Sequence, residues 1–240
     1  MTDAQTDAFH YAGRDLEAMS HAPNYRNWIQ QLFRPYVRGD VAEVGAGDGS
    51  FSRLLAECGP DSLTMFEPSA AMYALQGERL AGVASVVRHQ STFTERAEEF
   101  VGRFDTMVYC NVLEHIEDDA GEVALAARAL KPGGHLCVLV PALPALMSRF
   151  DRSIGHFRRY RKPALRRPLE AAGLHVRLLR YIDLPGIVPW LVFVKWGGRM
   201  LAPGSVALYD RVGIPVARAI ESAITMPLGK NLIAVAQKPD

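Results

Sequence analysis

The chain has 240 residues, of which 49% are hydrophobic, and a formal net charge of +1. This composition is typical of a soluble globular protein and argues against binding to nucleic acid or membranes through net charge alone. No stretch has the roughly 18 to 20 uninterrupted apolar residues of a spanning helix. The polar start, MTDAQTDAFH, does not resemble a secretory signal, so a cytoplasmic protein is predicted.

The first 38 residues combine a polar leader with a helical pattern. Tyr25, Trp28 and Ile29 recur at helical spacing, and Pro35 ends the run. From Val41 onward, short apolar runs alternate with amphipathic stretches. The apolar runs are VAEVGA, SLTMFE, VASVVR, FDTMVYC and GHLCVLVP. Because they are apolar nearly throughout, they indicate strands of a parallel sheet covered by helices on both faces.

The alternation breaks after Pro141. Residues 141–173 form an insertion rich in proline and arginine, and LHVRLLRYI then predicts another strand. Residues 184–203 are strongly apolar but interrupted by prolines and glycines, and NLIAVAQ, residues 231–237, predicts the last strand. The fold class is therefore predicted as α/β, with one doubly wound, Rossmann-like sheet and no second domain.

The stretch VAEVGAGDGSFSRLL predicts a ligand-binding loop between a strand and a helix. Gly45, Ala46, Gly47 and Gly49 allow a tight turn in which bare backbone and a helix N-terminus face a ligand. Dinucleotide-binding proteins use G-x-G-x-x-G for this purpose, but here the third glycine comes one residue early. Glu43 beside the loop disfavours pyrophosphate and suits a ligand with an ammonium group, such as S-adenosylmethionine.

Glu67 ends the second predicted strand, about 20 residues after the loop, at a position typical of ribose recognition. Its two carboxylate oxygens can accept hydrogen bonds from both hydroxyls of a ribose. A solvated acid at the end of a strand is the alternative interpretation. The loop and this acid together indicate a nucleoside cofactor more strongly than either does alone.

These residues resemble the motifs of the class I S-adenosylmethionine-dependent methyltransferases. VAEVGAGDG is similar to the first motif of that family, FEPS to the second, FDTMVYCNVLEHIEDD to the fourth and ALKPGGHLCVLVP to the fifth. The resemblance implies a seven-stranded sheet, mostly parallel, with an antiparallel last strand. It also implies a single methyltransferase domain over residues 1–240. Its parts would be an N-terminal helical lid (1–38), a cofactor-binding core (40–140), a substrate-side insertion with late strands (141–230) and the last strand (231–237).

By the same resemblance, the loop would hold the methionine end of the cofactor and Glu67, followed by Pro68, its ribose. Thr92 and Phe93 would border the adenine, although many family members place an aspartate here that this sequence lacks. Asn111 and Val112 would line the methionine end, with His115 behind them.

The insertion also resembles a bacterial subgroup of small-molecule methyltransferases that carries a D-x-x-x-G-H-x-R-R-Y signature, here Asp151 to Tyr160. His156 is the candidate general base, and a histidine that orders the loop beside Asp151 is the alternative. His115 is a second catalytic candidate, with a structural or cofactor-side role as its alternative. Arg158, Arg159 and Tyr160 are predicted to contact the acceptor, with the two arginines paired to its phosphate or carboxylate. A solvated basic face is the alternative interpretation of the arginines.

The predicted function is methyl transfer from S-adenosylmethionine to a small-molecule acceptor. Oxygen is favoured over nitrogen and carbon as the atom that is methylated. An anionic or lipophilic acceptor is favoured, and S-adenosylhomocysteine would be the product. The alternatives are an NAD-dependent oxidoreductase and a cofactor-binding scaffold without catalysis. The three cysteines lack metal-site spacing, and no metal site is expected.

Two apolar regions have open interpretations. Tyr25 and Trp28 belong either to the core or to a lid that contacts substrate. Residues 184–203 complete the core, form a dimer contact, line a pocket for an apolar acceptor or rest on a membrane surface. The oligomeric state is left open, and no nucleic-acid partner is expected.

Overall fold

A computed structural model describes residues 22–198 and 202–240. One sheet with strand order β3-β2-β1-β4-β5-β7-β6 organises these residues. Its strands are β1 (Asp40–Val44), β2 (Ser62–Phe66), β3 (Val86–His89), β4 (Phe104–Cys110), β5 (Leu130–Pro141), β6 (His175–Ile182) and β7 (Asn231–Gln237). Strands β1 to β5 pair in parallel, whereas β7 runs antiparallel to both β5 and β6. The predicted fold class and the antiparallel last strand are therefore confirmed.

Helices connect the strands and cover both faces of the sheet. In the parts of the chain that the structure describes, the α-helices of four or more residues are Pro23–Phe33, Ser50–Ala56, Ala70–Arg79, Asp119–Ala129, Arg149–Ser153, Lys162–Ala171, Pro203–Leu208 and Ile214–Ala223. Short 3₁₀ helices span Thr94–Phe100, Leu113–His115 and Pro144–Leu146, and π-helical turns span Trp190–Trp196 and Tyr209–Gly213. Among the described residues, no helix combines the length and the hydropathy needed to cross a bilayer.

Alternate strand residues enter two separate hydrophobic clusters. Ala42 and Tyr109 belong to one cluster, with the helices Asp119–Ala129 and Lys162–Ala171. Their neighbours Val41 and Val108 belong to the other, with the helices Pro23–Phe33 and Ile214–Ala223. Successive side chains of a strand point to opposite faces, so this division explains why the central strands are apolar nearly throughout.

The order of the strands fixes where a ligand can bind. Strand β1 is followed in the chain by β2 and β3 on one side, and β4 and β5 lie on its other side. The connections therefore diverge at the carboxyl ends of β1 and β4 and leave a crevice between them, which is where ligands bind in such sheets. The glycine loop follows β1 directly at this edge.

Candidate active site

A cavity of about 930 Å³ opens at the carboxyl ends of β1, β2 and β4. Ten of the eleven predicted cofactor-binding residues line it, and only Gly49 does not. The ten are Glu43, Gly45, Ala46, Gly47, Glu67, Pro68, Thr92, Phe93, Asn111 and Val112. A single concave site of this volume matches the size of sites for small molecules and cofactors.

The glycine loop is built so that its backbone forms one wall of the cavity. Gly45 has a φ of +68°, and a Cβ atom there would lie 2.5 Å from Cγ2 of Val112. The N–H groups of Gly45 and Ala46 both donate to the carbonyl of Phe66. Only glycine adopts this backbone at no cost and lets Val112 pack directly on the chain.

Two further residues fix the loop and the strand end opposite it. Gln76, fully buried, donates from Nε2 to the Gly47 carbonyl at 2.8 Å. Asn111 has a φ of +56°, although it is not glycine, and its N–H donates to Leu139 of β5. Non-glycine residues held in this region often mark functional sites, and Asn111 lies in the cavity wall.

Glu43 is buried within β1 and is a weaker acid than usual. Its carboxylate accepts a hydrogen bond from the Ser52 hydroxyl. Burial raises its pKa to about 8, although the Ser52 hydrogen bond opposes the shift and the charge of Glu67 adds to it. A cation in the cavity would favour the ionised form of Glu43.

Glu67 directly follows β2, and its carboxylate accepts hydrogen bonds from two backbone N–H groups. Its Oε2 accepts from the Gly47 N–H at 2.8 Å, and its Oε1 accepts from the Ser69 N–H at 2.9 Å. Burial raises the pKa of Glu67, and these two hydrogen bonds oppose the shift. Each carboxylate oxygen keeps a second lone pair for a ligand, so Glu67 can brace the loop and still accept hydrogen bonds from hydroxyl groups.

Two aromatic residues line the part of the cavity predicted to hold the adenine. Phe93 is buried and packs edge-to-face on Phe66, with ring centroids 5.3 Å apart. Thr92 forms a local turn with Glu95, since each residue's N–H donates to the other's side chain. The Thr94 hydroxyl donates to Glu122, a cavity-lining acid that no sequence motif predicted.

The N-terminal helix contributes one residue to the cavity, and it is not either of the two predicted. Tyr25 and Trp28 are buried in the core, where the Tyr25 hydroxyl accepts from Asn231 at 2.8 Å. Trp28 lines a separate hollow of about 500 Å³. The cavity residue is Arg26, so the prediction that Tyr25 and Trp28 contact substrate is corrected in favour of the core interpretation. Residues 1–21 of the predicted lid lie outside the described residues.

The signature residues form a buried ion network centred on Asp151. Arg159 donates to Asp151 Oδ1 from Nε at 3.1 Å and from Nη2 at 2.7 Å. Ser148 donates to Asp151 from its N–H and its hydroxyl, in a capping box. The guanidinium of Arg159 lies 4.4 Å from the ring centroid of Trp190. Arg159 is buried in this network and does not line the cavity, so the predicted acceptor contact is corrected for this residue.

The rest of the signature fastens the insertion to the segment after β4. Arg158 pairs with Asp119 at 2.5 Å and donates to the Glu117 carbonyl. The buried Tyr160 hydroxyl donates to Asp119 at 2.7 Å. Neither Arg158 nor Tyr160 is in the cavity wall, so their predicted acceptor contacts are also corrected. Instead, their neighbours Ile154, Gly155 and Phe157 line the cavity.

The two candidate catalytic histidines lie at different depths. His115 lines the cavity, whereas His156 lies behind it, with Nδ1 3.1 Å from Asp151 Oδ1. Their rings meet edge-to-face with centroids 4.5 Å apart. The position of His156 opposes its prediction as the general base and supports the alternative of a histidine that orders the loop. Glu114, buried beside both rings, was missed because sequence spacing does not reveal contacts between distant segments.

The broken apolar stretch after β6 is divided between core and surface. Trp190 packs on Phe150 and donates from Nε1 to the Leu146 carbonyl at 3.0 Å, and Val194 is buried. Phe193 and Trp196 are exposed, with Trp196 keeping 73% of its surface accessible. The core interpretation therefore applies to only part of this stretch, and residues 199–201 lie outside the described residues.

This fold and this cavity have the features of an S-adenosylmethionine-dependent methyltransferase. Residues 10–179 match the family described as Methyltransferase domain, and the chain belongs to that family. The predicted enzyme class and cofactor are thus confirmed, and the NAD-dependent alternative is wrong. The site also fits the cofactor. The buried side chains of Glu43 and Glu67 accept hydrogen bonds from neutral donors, and they line the cavity together with the backbone of the glycine loop.

A sequence relative and two solved structures are similar to this chain. The ubiquinone biosynthesis O-methyltransferase of Pseudomonas paraeruginosa is 31% identical over 111 residues, which cover 46% of this chain and 47% of that protein. The matched segment thus spans about half the length of that curated relative.

The phosphoethanolamine N-methyltransferase 2 of Haemonchus contortus, in complex with S-adenosyl-L-methionine, aligns with a TM-score of 0.66 at 16% identity, covering 98% of this chain and 58% of that one. An S-adenosylmethionine-dependent methyltransferase from Mesorhizobium loti aligns with a TM-score of 0.60 at 17% identity, covering 87% and 95%. At such identities the likeness shows the fold.

Proposed function

We propose that the enzyme methylates a hydroxyl oxygen of a small lipophilic molecule. The observation that carries this proposal is that the cavity continues past the cofactor-side residues to a wall made by the insertion. Arg152, Ile154, Gly155 and Phe157 form that wall. The 31% identity to a ubiquinone biosynthesis O-methyltransferase over 111 residues supports an oxygen acceptor.

The exposed apolar surface supports a lipophilic acceptor. Val188, Trp196 and Leu208 keep 64%, 73% and 65% of their surface accessible. More exposed apolar residues follow in the same part of the chain: Val212, Val216, Ile220, Ile224 and Leu228. Such residues, interspersed with basic ones such as Lys195 and Arg211, favour contact with a membrane surface that contains the acceptor.

The protein's contribution to the reaction is binding and orientation. S-adenosylmethionine supplies an activated methyl group on a cationic sulfur. We propose that Glu43 supports the ammonium end of the cofactor, that Glu67 accepts from its ribose hydroxyls and that Phe93 contacts the adenine. Arg26 is suited to the cofactor carboxylate, because its guanidinium is half-buried at the cavity. Held in this way, the methyl group faces the acceptor while the cavity excludes water.

The subgroup signature has a positioning role in this proposal. Asp151, Arg158, Arg159 and Tyr160 hold the insertion against the segment after β4, so that Ile154 and Phe157 form the acceptor wall. None of these four residues needs to touch the acceptor. The signature is then required to position the acceptor wall, and it does not specify one substrate.

The cofactor pose is tested by calorimetry with S-adenosylhomocysteine. Glu67→Gln places an amide N–H₂ against the N–H of Gly47 or Ser69 and removes one acceptor, so the Kd should rise about tenfold or more, or about 1.4 kcal/mol. The control is Glu78→Gln, since Glu78 is exposed. Equal affinity in both variants would contradict the assigned pose.

The acceptor class is tested by transfer of a labelled methyl group. Hydroxylated aromatic lipids, amines and soluble phenols are offered in parallel, with and without liposomes. The proposal expects the largest kcat/KM for a hydroxylated lipid, together with sedimentation of the protein with the liposomes. Preference for an amine would overturn it, and failure to methylate any acceptor would favour the scaffold alternative.

A further inference from the structure

Three side chains with metal-binding chemistry meet at the cavity wall and directly behind it. Glu114 and His115 follow β4, and His156 belongs to the insertion. One ligand atom of each lies within 4.8 Å of the other two. Glu114 Oε1 is 3.9 Å from His156 Nε2, a separation longer than a hydrogen bond.

Both imidazole rings are oriented by hydrogen-bonding partners outside the cluster. His156 places Nδ1 3.1 Å from Asp151 Oδ1, and the backbone of Ile154 hydrogen bonds to the ring of His115. Metal-binding histidines almost always donate their second ring N–H to a carboxylate or a backbone carbonyl in this way. Asp151 is itself fixed by Arg159 and Ser148, so the orientation of His156 is firmly set.

We propose that Glu114, His115 and His156 bind a first-row divalent cation, such as Zn²⁺, with an open coordination position at the cavity wall. Two histidines and one glutamate are a ligand set of catalytic zinc sites, which keep a further position for water or substrate. His115 lines the cavity, so the open position faces the space assigned to the acceptor.

The geometry requires only a small contraction. Zn²⁺ binds nitrogen and carboxylate oxygen at about 2.0 to 2.2 Å, so each ligand atom of a triangle with sides up to 4.8 Å must move inward by roughly half an ångström. Gly155 lies next to this cluster: a Cβ atom at Gly155 would be 3.7 Å from Nδ1 of His115.

The electrostatics also suit a cation. Asp151 is paired with Arg159, so Glu114 supplies the negative charge of the ligand set.

One consequence rests on the proposed function. A hydroxyl of the acceptor that binds the ion through its oxygen would have a lowered pKa. The hydroxyl then releases its proton to solvent, and the resulting oxygen anion forms the new bond to the methyl carbon while the bond from that carbon to the cofactor sulfur breaks. The metal site itself can be tested without any acceptor.

The test is Co²⁺ binding to the full chain, stripped of metal, without cofactor or acceptor. We expect one equivalent to bind and to give visible ligand-field absorption that Zn²⁺ displaces. Glu114→Gln and His156→Asn should each weaken binding by at least 100-fold. His175→Asn is the matched control, because His175 is an exposed histidine on β6, and it should bind as the wild type does.

Two results would overturn the site: no bound equivalent in the wild type, or unchanged affinity in both ligand variants. A second measurement covers variants that fail to fold. In the wild type, Co²⁺ should shift or broaden the NMR signals of the His115 and His156 rings and leave that of His175 sharp. The reverse pattern would place the ion elsewhere. If the wild-type protein binds Co²⁺ but does not methylate a hydroxylated lipid, the result would instead count against the proposed acceptor.

Discussion

The buried carboxylates beside the glycine loop and the buried carboxylate of the insertion have different hydrogen-bonding and charge partners. Glu43 and Glu67, at the tips of β1 and β2, accept hydrogen bonds from a hydroxyl and from backbone N–H groups. Burial raises the pKa of both. Asp151, in the insertion, is fully buried too, but hydrogen bonds from His156 and the charge of Arg159 outweigh burial and hold its pKa well below its usual range.

This difference separates the proposed binding residues from the structural ones. A buried acid whose donors are neutral gains most when a ligand brings a positive charge or hydroxyl groups. A buried acid that already contacts cations stabilises the chain around it, and its removal leaves those cations without a counter-charge. The comparison therefore predicts large losses of stability on one side and large losses of ligand affinity on the other.

The largest expected effect is on stability. Asp151→Ala leaves Arg159 buried without its counter-ion, so the free energy of unfolding should fall by about 3 to 5 kcal/mol. Asp151→Ala combined with Arg159→Met should lose less, because no buried charge is then left alone. Urea unfolding followed by circular dichroism measures both. Glu170→Ala, which breaks the exposed pair with Arg166, is the control and should cost less than about 1 kcal/mol.

The second effect is on cofactor affinity. Gly45→Ala puts a Cβ atom 2.5 Å from Val112 Cγ2 and should raise the Kd for S-adenosylhomocysteine at least tenfold, because the loop or Val112 must shift. Gly59→Ala is a close control, since Gly59 also has a positive φ, +77°, and nothing within 4 Å of its Cβ position. Both variants should lose about 1 to 2 kcal/mol of stability from the left-handed backbone. Equal affinities in calorimetry would refute the role given to the loop.

The third effect is a pH dependence. The folded ligand-free protein raises the pKa of Glu43 to about 8, so it keeps a proton that the unfolded chain releases at its ordinary pKa. Stability from this group is therefore complete below about pH 4 and is lost as pH rises toward 8. The Glu43→Gln variant does not lose stability in this way. The Tm of the variant minus the Tm of the wild type should therefore increase between pH 5 and pH 8. Parallel Tm curves for the two proteins would contradict the shift, and Glu78→Gln should follow the wild type.

The same contrast explains what the sequence predicts. The strands and the glycine loop depend on local patterns, and the apolar runs and the early third glycine predicted both. The insertion depends on contacts across the chain. Tyr160 and Asp119 are 41 residues apart, and no periodicity connects them. For the same reason Arg26 and Glu114 were missed, and Arg159 was assigned to the acceptor although it is buried against Asp151.

The smallest expected effect concerns the exposed side of the signature. Arg158 pairs with Asp119 at 2.5 Å, but its side chain keeps 31% of its surface accessible, so solvent screens the pair and Arg158→Ala should cost less than about 1 kcal/mol. Since Arg158 does not line the cavity, and the Asp151–Arg159 pair and Tyr160 still hold the insertion in place, the acceptor KM should change less than twofold. A KM that rises tenfold while the Tm is unchanged would show that Arg158 reaches the acceptor during turnover. The division between binding and structural charges would then fail at this residue, because an arginine paired in the resting enzyme would also be a ligand for substrate.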